Sequence, residues 1–135
     1  MASETTARNI MSTEILCAVE GMTIEQLLKI IINNRITGLP VVNRKGEFIG
    51  VVSEFDIMMQ IVNRGKISSE VFQYKFEYSK KVDCIQETMK LKDITKQFVK
   101  TKFRRLPVVN NKGKLVGIIS RRDLMRTYYY RARLT

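Results

Sequence analysis

The sequence contains the same motif twice, separated by 67 residues. Residues 39–58 read LPVVNRKGEFIGVVSEFDIM and residues 106–125 read LPVVNNKGKLVGIISRRDLM, and the two copies align without a gap. The alignment extends backwards, since Cys17 corresponds to Cys84 and Lys29 to Lys96. This period is longer than the ~20–50 residues of the common solenoid repeats. Two copies therefore predict a closed, pseudo-symmetric pair, with any binding site in or beside the cleft between them.

The length of each copy bears on its stability. The chain has 135 residues. A half of ~60 residues buries too little surface to be comfortably stable alone, so we expect the repeats to pack on each other. The pattern predicts one domain over 8–65, a linker over 66–77 and a second domain over 78–130. Residues 1–7 and 131–135 are predicted terminal tails, and the polar residues 1–9 are expected to be disordered.

Hydrophobic periodicity predicts the same elements in both copies. Thr23 and Gln26 have the spacing of a capping box, and apolar residues follow at helical spacing up to Asn34. Each Leu-Pro-Val-Val segment favours a strand, and the glycine of the following Asn-x-Lys-Gly turn favours a hairpin. The predicted order is β-α-β-β-α in each copy, which makes the fold class α+β. Strands are predicted over 15–19, 39–42, 48–52, 82–85, 106–109 and 115–119, and helices over 24–34, 53–62, 91–101 and from 120 into the tail. The helix over 91–101 is expected to turn Leu91, Ile94, Phe98 and Val99 inward.

The composition lowers the expectation of catalysis. Histidine is absent, which removes the usual general base, the common nucleophile pairs and the most frequent transition-metal ligand. No zinc-binding spacing and no glycine-rich phosphate loop occurs. We therefore expect a protein that is not an enzyme and needs no cofactor or metal.

The sequence also bears on location. No apolar stretch approaches the ~18 residues of a membrane-spanning helix, and the first fourteen residues lack the pattern of a secretory signal. Cys17 and Cys84 occupy equivalent positions inside apolar segments, as expected for buried, reduced thiols. We expect a cytoplasmic protein without a membrane partner.

The charge is divided unevenly between the halves. Residues 1–67 contain seven basic and seven acidic side chains, whereas residues 68–135 contain seventeen and six, so the whole formal charge of +11 lies in the second half. Such asymmetry is typical of a chain with an anionic partner on one side. A lysine-rich, well-solvated surface is the alternative explanation.

Two Ser-x-x-Asp motifs are the first candidates for a binding site. Ser53 and Asp56, like Ser120 and Asp123, follow an apolar strand and open a predicted helix. One interpretation is structural, because a serine followed by an acid three residues later resembles a helix cap. The other is functional, because a helix N-terminus favours phosphate and an aspartate accepts charge-assisted hydrogen bonds from a ribose diol. The sequence leaves both open.

Arginines mark where the copies diverge. Thr37-Gly38 of the first copy is replaced by Arg104-Arg105, and Glu54-Phe55 by Arg121-Arg122. These arginines are either solvated side chains or the partners of an anionic ligand, since guanidinium groups fit phosphate oxygens well. The tail from Tyr128 to Arg133 interleaves aromatic and basic residues. Such a tail either packs on protein or stacks on nucleic-acid bases.

The motifs resemble those of the CBS domain family. The resemblance rests on Gly38-Leu-Pro-Val-Val with Gly46, Gly50 and Ser53-x-x-Asp56, and on the matching run from Leu106 to Asp123, and it covers about residues 8–127. It implies two domains joined as a pseudo-twofold pair, often called a Bateman module. It also implies sensing of adenine nucleotides (AMP, ADP or ATP, with S-adenosylmethionine or NAD in some members) and regulation of a partner protein.

The resemblance further implies two pockets. In the first, Leu16, Ile36 and Thr37 would hold adenine, Ser120 would contact phosphate and Asp123 the ribose, with Arg122 and Arg104 or Arg105 supplying positive charge. In the second, Phe103, Arg104 and the region of Asp83 would form the adenine wall, beside Ser53 and Asp56. We expect the first to bind better, because Asp83 and Phe55 replace Leu16 and Arg122 in the second.

The leading hypothesis is thus a non-catalytic, nucleotide-sensing regulatory module that forms a homodimer and signals to an unknown protein partner. The alternatives are a ligand-free dimerisation scaffold and a nucleic-acid-binding module that uses the basic second half.

Overall fold

The computed structural model describes residues 5–65, 69–80 and 83–134, and the side chains as far as Arg131. These residues form two compact units of mixed α and β structure. One, the first-repeat unit, holds 16–65 and 69–80; the other, the second-repeat unit, holds 5–15 and 83–134. Of the sequence predictions, those for residues 1–4, 66–68, 81–82 and 135 lie outside the described residues.

Each unit is built on a three-stranded sheet. In the first-repeat unit, β1 (Ala18–Val19) runs parallel to β2 (Gly38–Val42), which pairs antiparallel with β3 (Phe48–Ser53). Helix α2 (Ile24–Asn34) connects the two parallel strands, and α3 (Glu54–Asn63) follows β3. The predicted order β-α-β-β-α is confirmed.

The second-repeat unit repeats this arrangement. Strand β4 (Ile85–Gln86) runs parallel to β5 (Arg105–Val109), which pairs antiparallel with β6 (Leu115–Ser120). Helix α4 (Leu91–Thr101) joins β4 to β5, and α5 (Arg121–Leu134) continues through the predicted tail. The bounds of α2 and α4 match the sequence prediction, whereas β1 and β4 are shorter than the predicted strands over 15–19 and 82–85.

The central strands and the inner helix faces form the core of each unit. Four of the five residues of β2 and of β5 are buried, as expected for a strand covered on both faces. Full burial of a Leu or Ile side chain stabilises a fold by about 1.5–3 kcal/mol. The helices α2 and α4 contribute Ile24, Leu27, Ile31, Leu91, Ile94 and Phe98. The inward prediction for Val99 is wrong, because Val99 lies outside this stripe and is 72% exposed.

Both hairpins close on the same asparagine–glycine turn. The Asn43 side-chain oxygen accepts hydrogen bonds from the backbone N–H groups of Lys45 and Glu47, each at 3.0 Å. Gly46 has a φ of +83°, in the left-handed region that glycine adopts without a steric penalty. Asn110 and Gly113 repeat this geometry, so the predicted hairpin turns are confirmed.

The expected disorder of residues 1–9 is wrong for the residues that the structure describes. Helix α1 (Ala7–Ile10) begins after Thr6 and buries Ala7 completely in the second-repeat unit. A single helical turn carries no helical periodicity, so the sequence did not reveal it. Its stability comes from tertiary burial rather than from local propensity.

The segment before each repeat completes the sheet of the other repeat. Ser12 and Ile118 exchange two backbone hydrogen bonds at 2.9 and 3.0 Å, and Ser79 and Val51 do the same. Ser12 and Ser79 are 67 residues apart, as are Val51 and Ile118. These bridges cover the outer edges of β6 and β3, which would otherwise expose unpaired backbone groups. The compact units therefore group the chain differently from the sequence repeats.

Side chains fasten the segment 69–80 to the first-repeat unit. The buried Gln60 amide donates to the Glu77 carbonyl and accepts from the Glu77 N–H, both at 2.8 Å. The Tyr78 hydroxyl donates to the Glu20 carboxylate at 2.6 Å, which raises the pKa of Tyr78. Most of the segment predicted as a linker is thus held against the first-repeat unit.

Each backbone bridge passes over a glycine in the middle of the outer strand, Gly50 in β3 and Gly117 in β6, and different atoms face the two glycines. A Cβ on Gly50 would collide with the Ser79 carbonyl and the Tyr78 ring, whereas the three atoms nearest to a Cβ on Gly117 all belong to the Met11 side chain. We expect Gly50→Ala to lower the free energy of unfolding by about 1–3 kcal/mol, measured by urea denaturation. Met11→Ala removes the two closest of the Met11 atoms and should recover part of the loss caused by Gly117→Ala, whereas Tyr78→Ala leaves the Ser79 carbonyl in place and should recover less of that of Gly50→Ala. Equal recovery at both sites would contradict this account of the edges.

Candidate functional site

Both Ser-x-x-Asp motifs form complete capping boxes. The Ser53 N–H donates to Asp56 Oδ2 at 2.9 Å, and the Asp56 N–H donates to Ser53 Oγ at 3.1 Å. The corresponding distances for Ser120 and Asp123 are 2.7 and 3.1 Å. The structural interpretation of these motifs is therefore correct. Each cap uses only one carboxylate oxygen, and the second oxygen of Asp123 lies 3.9 Å from an Arg126 nitrogen.

The loop that enters the second strand lies directly beside each helix start. The Glu54 N–H donates to the Thr37 carbonyl, and the Arg121 N–H donates to the Arg104 carbonyl, both at 2.9 Å. Arg105 lies opposite Ser120 across β5 and β6. The second-repeat unit thus brings Arg104, Arg105, Ser120 and Asp123 to the end of its sheet where β5 begins and β6 finishes, and where a helix N-terminus is also exposed. We call this end of each sheet its candidate edge, as distinct from the outer edges that the backbone bridges cover.

The first strands begin at this same edge. Because β1 is parallel to β2, Leu16, two residues before β1, lies toward the end of the sheet where Thr37 and Ser53 are found. By the same argument, Asp83 lies toward the end that carries Arg105. Leu16 is 44% exposed, Thr37 is exposed and Ile36 is half-buried. Within each unit, the structure therefore places the predicted residues at one end of the sheet, and their grouping across the two repeats, which the resemblance implies, stays a prediction.

Three arginines give the second-repeat edge uncompensated positive charge. The side chains of Arg104, Arg105 and Arg122 are exposed and form no ion pair or hydrogen bond with any residue that the structure describes. Exposed Phe103 precedes them in the same loop. Asp123 is partly engaged by its own cap, so this edge presents mainly cationic groups.

Arg121 has a different role from the one its position suggests. Its Nε donates to the Phe103 carbonyl at 2.8 Å, and a terminal nitrogen donates to the Lys102 carbonyl. Lys102 has a left-handed φ of 62° and caps α4, so Arg121 satisfies carbonyl groups at a helix end. Sequence comparison of the repeats did not distinguish Arg121 from Arg122, because both replace non-basic residues.

The helix macrodipole makes the basic first turn of α5 unfavourable for stability. A helix N-terminus carries a partial positive charge and is stabilised by acidic side chains by about 0.3–1 kcal/mol each. Helix α3 follows this rule with Glu54 and Asp56 in its first turn, whereas α5 has one acid there, Asp123, together with Arg121 and Arg122. Arg121 is explained by its carbonyl contacts, but Arg122 is not. An anion bound at this edge would remove the conflict.

The equivalent edge of the first-repeat unit lacks this charge. Its loop offers Thr37 and Gly38, and its helix begins with Glu54 and the 64%-exposed Phe55. The two edges thus share a backbone framework and differ in electrostatics.

Two grooves in the described residues lie on helix faces rather than at these edges. In the second-repeat unit, a shallow groove of about 380 Å³ lies between α4 and α5 and includes Phe98, Val99 and Met125. In the first-repeat unit, a groove of about 270 Å³ lies beside α2 and includes Leu28, Ile32 and Phe72. Neither contains Ser53, Asp56, Ser120 or Asp123.

Other chemistries find little support in the described part of the chain. Within residues 5–65, 69–80 and 83–134, no three His, Cys, Asp or Glu side chains are grouped as a metal site would require. The helices in those same ranges are also too short or too polar to span a membrane.

Two cysteines adjoin the candidate edges. Cys17 follows Leu16, and Cys84 follows Asp83; both thiols are free and half-buried rather than fully buried as expected. Desolvation raises the pKa of Cys17. Desolvation also raises the pKa of Cys84, and the negative charge of Asp83 raises it further.

Comparisons with known proteins agree with this fold. The sequence profile of the CBS domain matches residues 7–63 and 75–130. The chloroplastic CBS domain-containing protein CBSX1 of Arabidopsis thaliana is 30% identical in an alignment 129 positions long, and the match covers 77% of this chain and 55% of that protein. An uncharacterised 17.7 kDa protein of Acidianus ambivalens is 30% identical over 122 residues, covering 90% and 72%. The chain spans about half the length of CBSX1 and CBSX2, at 55% and 54%.

A solved structure extends the similarity to three dimensions. The crystal structure of CBSX2 in complex with AMP, a protein of Arabidopsis thaliana, has a TM-score of 0.75 and 27% sequence identity to this chain. The match covers 93% of this chain and 96% of that one.

The reactivity of the Cys17 and Cys84 thiols provides a measurement of the environment beside these edges. Because partial burial raises the pKa of both cysteines, we expect both to react with a disulfide reagent only at higher pH than a cysteine in an unfolded peptide. The same shift means that the fold loses stability as the pH rises through the folded-state pKa of each thiol. Asp83→Asn should lower the pKa of Cys84 and leave Cys17 as an internal control. An unchanged Cys84 profile in this variant would exclude the influence of Asp83.

Proposed function

Because the chain belongs to the CBS domain family and carries two copies of the domain, we propose that it is a non-catalytic regulatory module that binds an adenine nucleotide and signals to a protein partner. The observation that carries this proposal is the cationic edge of the second-repeat unit, where Arg104, Arg105 and Arg122 lack carboxylate partners among the described residues. The AMP complex of CBSX2, a structural relative, supports the choice of ligand class.

The chemistry of this edge suits a nucleoside phosphate. The arginines and the N-terminus of α5 favour phosphate oxygens, and the Ser120 hydroxyl offers a further polar contact. The Asp123 oxygen that the cap leaves unused accepts hydrogen bonds from ribose hydroxyl groups, which are charge-assisted. Assignment of Leu16, Ile36 and Thr37 to the adenine of this ligand rests on the family resemblance.

The other set of residues forms the weaker site of the proposal. Ser53 and Asp56 present the same capped helix start, and the resemblance pairs them with Phe103 and Arg104. Phe55 stands in place of Arg122 and Glu54 in place of Arg121, so the helix that would receive the phosphate begins with one negative charge instead of two positive charges. We expect this site to bind a nucleotide less tightly or not at all.

Regulation follows from differential affinity. A nucleotide that neutralises the cationic edge stabilises the conformation of the protein that binds it most tightly. It can shift the equilibrium between two conformations by no more than the difference in its affinity for them. S-adenosylmethionine and NAD are alternative ligands for the same site, and the proposal does not specify the protein partner. The two free thiols are typical of a reducing compartment, and we place the protein in the cytoplasm.

The alternative functions predict different behaviour. A ligand-free scaffold would assemble without responding to any nucleotide. Binding of single-stranded nucleic acid is favoured by one observation: Tyr129 and Tyr130 are both more than half exposed on the arginine-rich α5, a combination suited to base stacking. Such binding would weaken steeply as salt is raised.

The Arg122→Glu variant separates ligand binding from stability. This change places an acid in the first turn of α5, so we expect the melting temperature of the free protein to stay level or rise by a few degrees, equivalent to about 0.3–1 kcal/mol. Affinity for AMP or ATP, measured by isothermal titration calorimetry, should fall at least tenfold. Lys112→Glu, an equal charge change at an exposed position in the turn between β5 and β6, is the matched control and should bind nearly as the parent. Undiminished affinity of Arg122→Glu would remove Arg122 from the site.

Ribose recognition is tested best by changing the ligand. Asp123 also caps α5, so Asp123→Ala would lose about 0.5–2 kcal/mol of stability whatever it binds. We therefore expect 2′,3′-dideoxy-AMP to bind the unaltered protein at least tenfold more weakly than AMP. Asp123→Asn retains a cap acceptor and should abolish most of the difference between the two ligands. Equal binding of AMP and its dideoxy analogue would refute the role of Asp123.

A further inference from the structure

One residue at the start of α5 binds the loop that joins α4 to β5. This loop, residues 102–104, lies between the last residue of α4 and the first residue of β5. The Arg121 side chain donates to the carbonyls of Lys102 and Phe103, and the Arg121 backbone N–H donates to the Arg104 carbonyl. Arg121 therefore holds all three carbonyl groups of the α4–β5 loop.

The side chains of this loop do not anchor it in the core of the second-repeat unit. All three loop residues are exposed, including Phe103 at 50%. Lys102 has a φ of 62°, in the left-handed region that residues other than glycine seldom adopt. Its N–H donates to the Phe98 carbonyl of α4 at 2.9 Å, so the loop is tied to α4 by its own backbone. The connection from the loop to α5 is made by Arg121.

The equivalent loop of the first-repeat unit is anchored differently. Ile36, at the position of Phe103, is half-buried and packs against the core of that unit. Glu54, at the position of Arg121, keeps the backbone hydrogen bond to the Thr37 carbonyl at 2.9 Å. An ionised carboxylate has no N–H group to donate to further carbonyls. The first loop is thus held by an apolar contact, and the second by a guanidinium group.

We propose that Arg121 is a positioning residue for the nucleotide, because it fixes the backbone that carries Arg104 and Arg105 before the ligand binds; this inference rests on the proposed function. Side chains that extend from a fixed backbone lose less freedom on binding, so pre-organisation strengthens binding without a new contact to the ligand. The Arg121 guanidinium is engaged by loop carbonyls, whereas the side chains of Arg104 and Arg105 form no ion pair or hydrogen bond with the described residues. Arg121 therefore acts through these neighbours, which contact the phosphate.

The electrostatics of the two adjacent arginines agree with this division of roles. Arg121 begins α5, but its guanidinium lies beside carbonyls at the C-terminal end of α4. A helix C-terminus carries a partial negative charge and favours a cation. The protein itself therefore compensates part of the charge of Arg121, whereas the charge of Arg122 stays available to an anion.

The Arg121→Met and Arg122→Met variants separate positioning of the loop from direct attraction of the ligand. Methionine removes the guanidinium donors and retains an unbranched apolar chain. Without nucleotide, we expect the backbone order parameters of residues 102–104, from NMR relaxation, to fall in Arg121→Met from about 0.85 towards 0.6 or below. They should keep the parental values in Arg122→Met, and residues 35–37 are the internal control in both proteins.

Affinity for AMP, measured by isothermal titration calorimetry, completes the comparison. We expect Arg121→Met to bind about tenfold more weakly than the parent, since the loop must then be ordered on binding. Arg122→Met should lose affinity without any change in loop order. Circular dichroism verifies the folding of each variant.

The Arg121→Lys variant distinguishes positioning from charge. Lysine keeps the charge but lacks the planar fork of donors that bonds two carbonyls at once. Positioning predicts that affinity for AMP follows the order of the loop in both Arg121 variants, whereas a direct electrostatic role predicts parental affinity for Arg121→Lys whatever its loop order.

Two results overturn the positioning role alone: unchanged loop order in Arg121→Met, or a disordered loop with parental affinity for AMP. Parental affinity of Arg121→Lys together with a disordered loop has the same consequence. A parent protein that binds no nucleotide refutes the proposed function, and with it this role of Arg121.

Discussion

The backbone bridges at the outer sheet edges are the constraint on which the rest of the structure depends. Each three-stranded sheet ends in an open strand, β3 or β6, and each repeat is too short to bury much surface alone. Ser79 closes one edge and Ser12 closes the other, with paired hydrogen bonds of 2.9–3.0 Å. Because each closing segment precedes the other repeat in the chain, neither sheet edge is closed by its own repeat. This explains why helix α1 belongs to the core of the second-repeat unit.

The edge bridges also account for the glycines in the middle of β3 and β6. Gly50 lies beneath Ser79 and Tyr78, and Gly117 lies beneath Met11. A glycine inside a strand normally weakens it, so its presence indicates that another segment approaches closely. The glycines of the duplicated motif are thus required for packing, whereas its Ser-x-x-Asp residues belong to the candidate binding site.

Duplication supplied two similar frameworks, and substitution gave them different electrostatics. The capping boxes, the cross-strand pairs and the loop carbonyls that receive the helix N–H groups are equivalent in the two units. The basic residues are concentrated in one of them, including Arg122 at a helix start where the macrodipole disfavours it. A cation kept where it lowers local stability is best explained by an anion that binds there.

By itself, the sequence determined the features that depend on near neighbours in the chain. Helices α2 and α4, the Asn-Gly hairpin turns and the three-residue spacing of each Ser-x-x-Asp cap were predicted because periodicity, turn chemistry and capping act over a few residues. Only the tertiary structure decided what depends on distant segments. It showed Ala7 buried, Val99 exposed, Ser12 paired with Ile118, and Arg121 bound to the carbonyls that end α4. These outcomes depend on contacts between segments that are far apart in the chain. Such contacts leave no local pattern in the sequence.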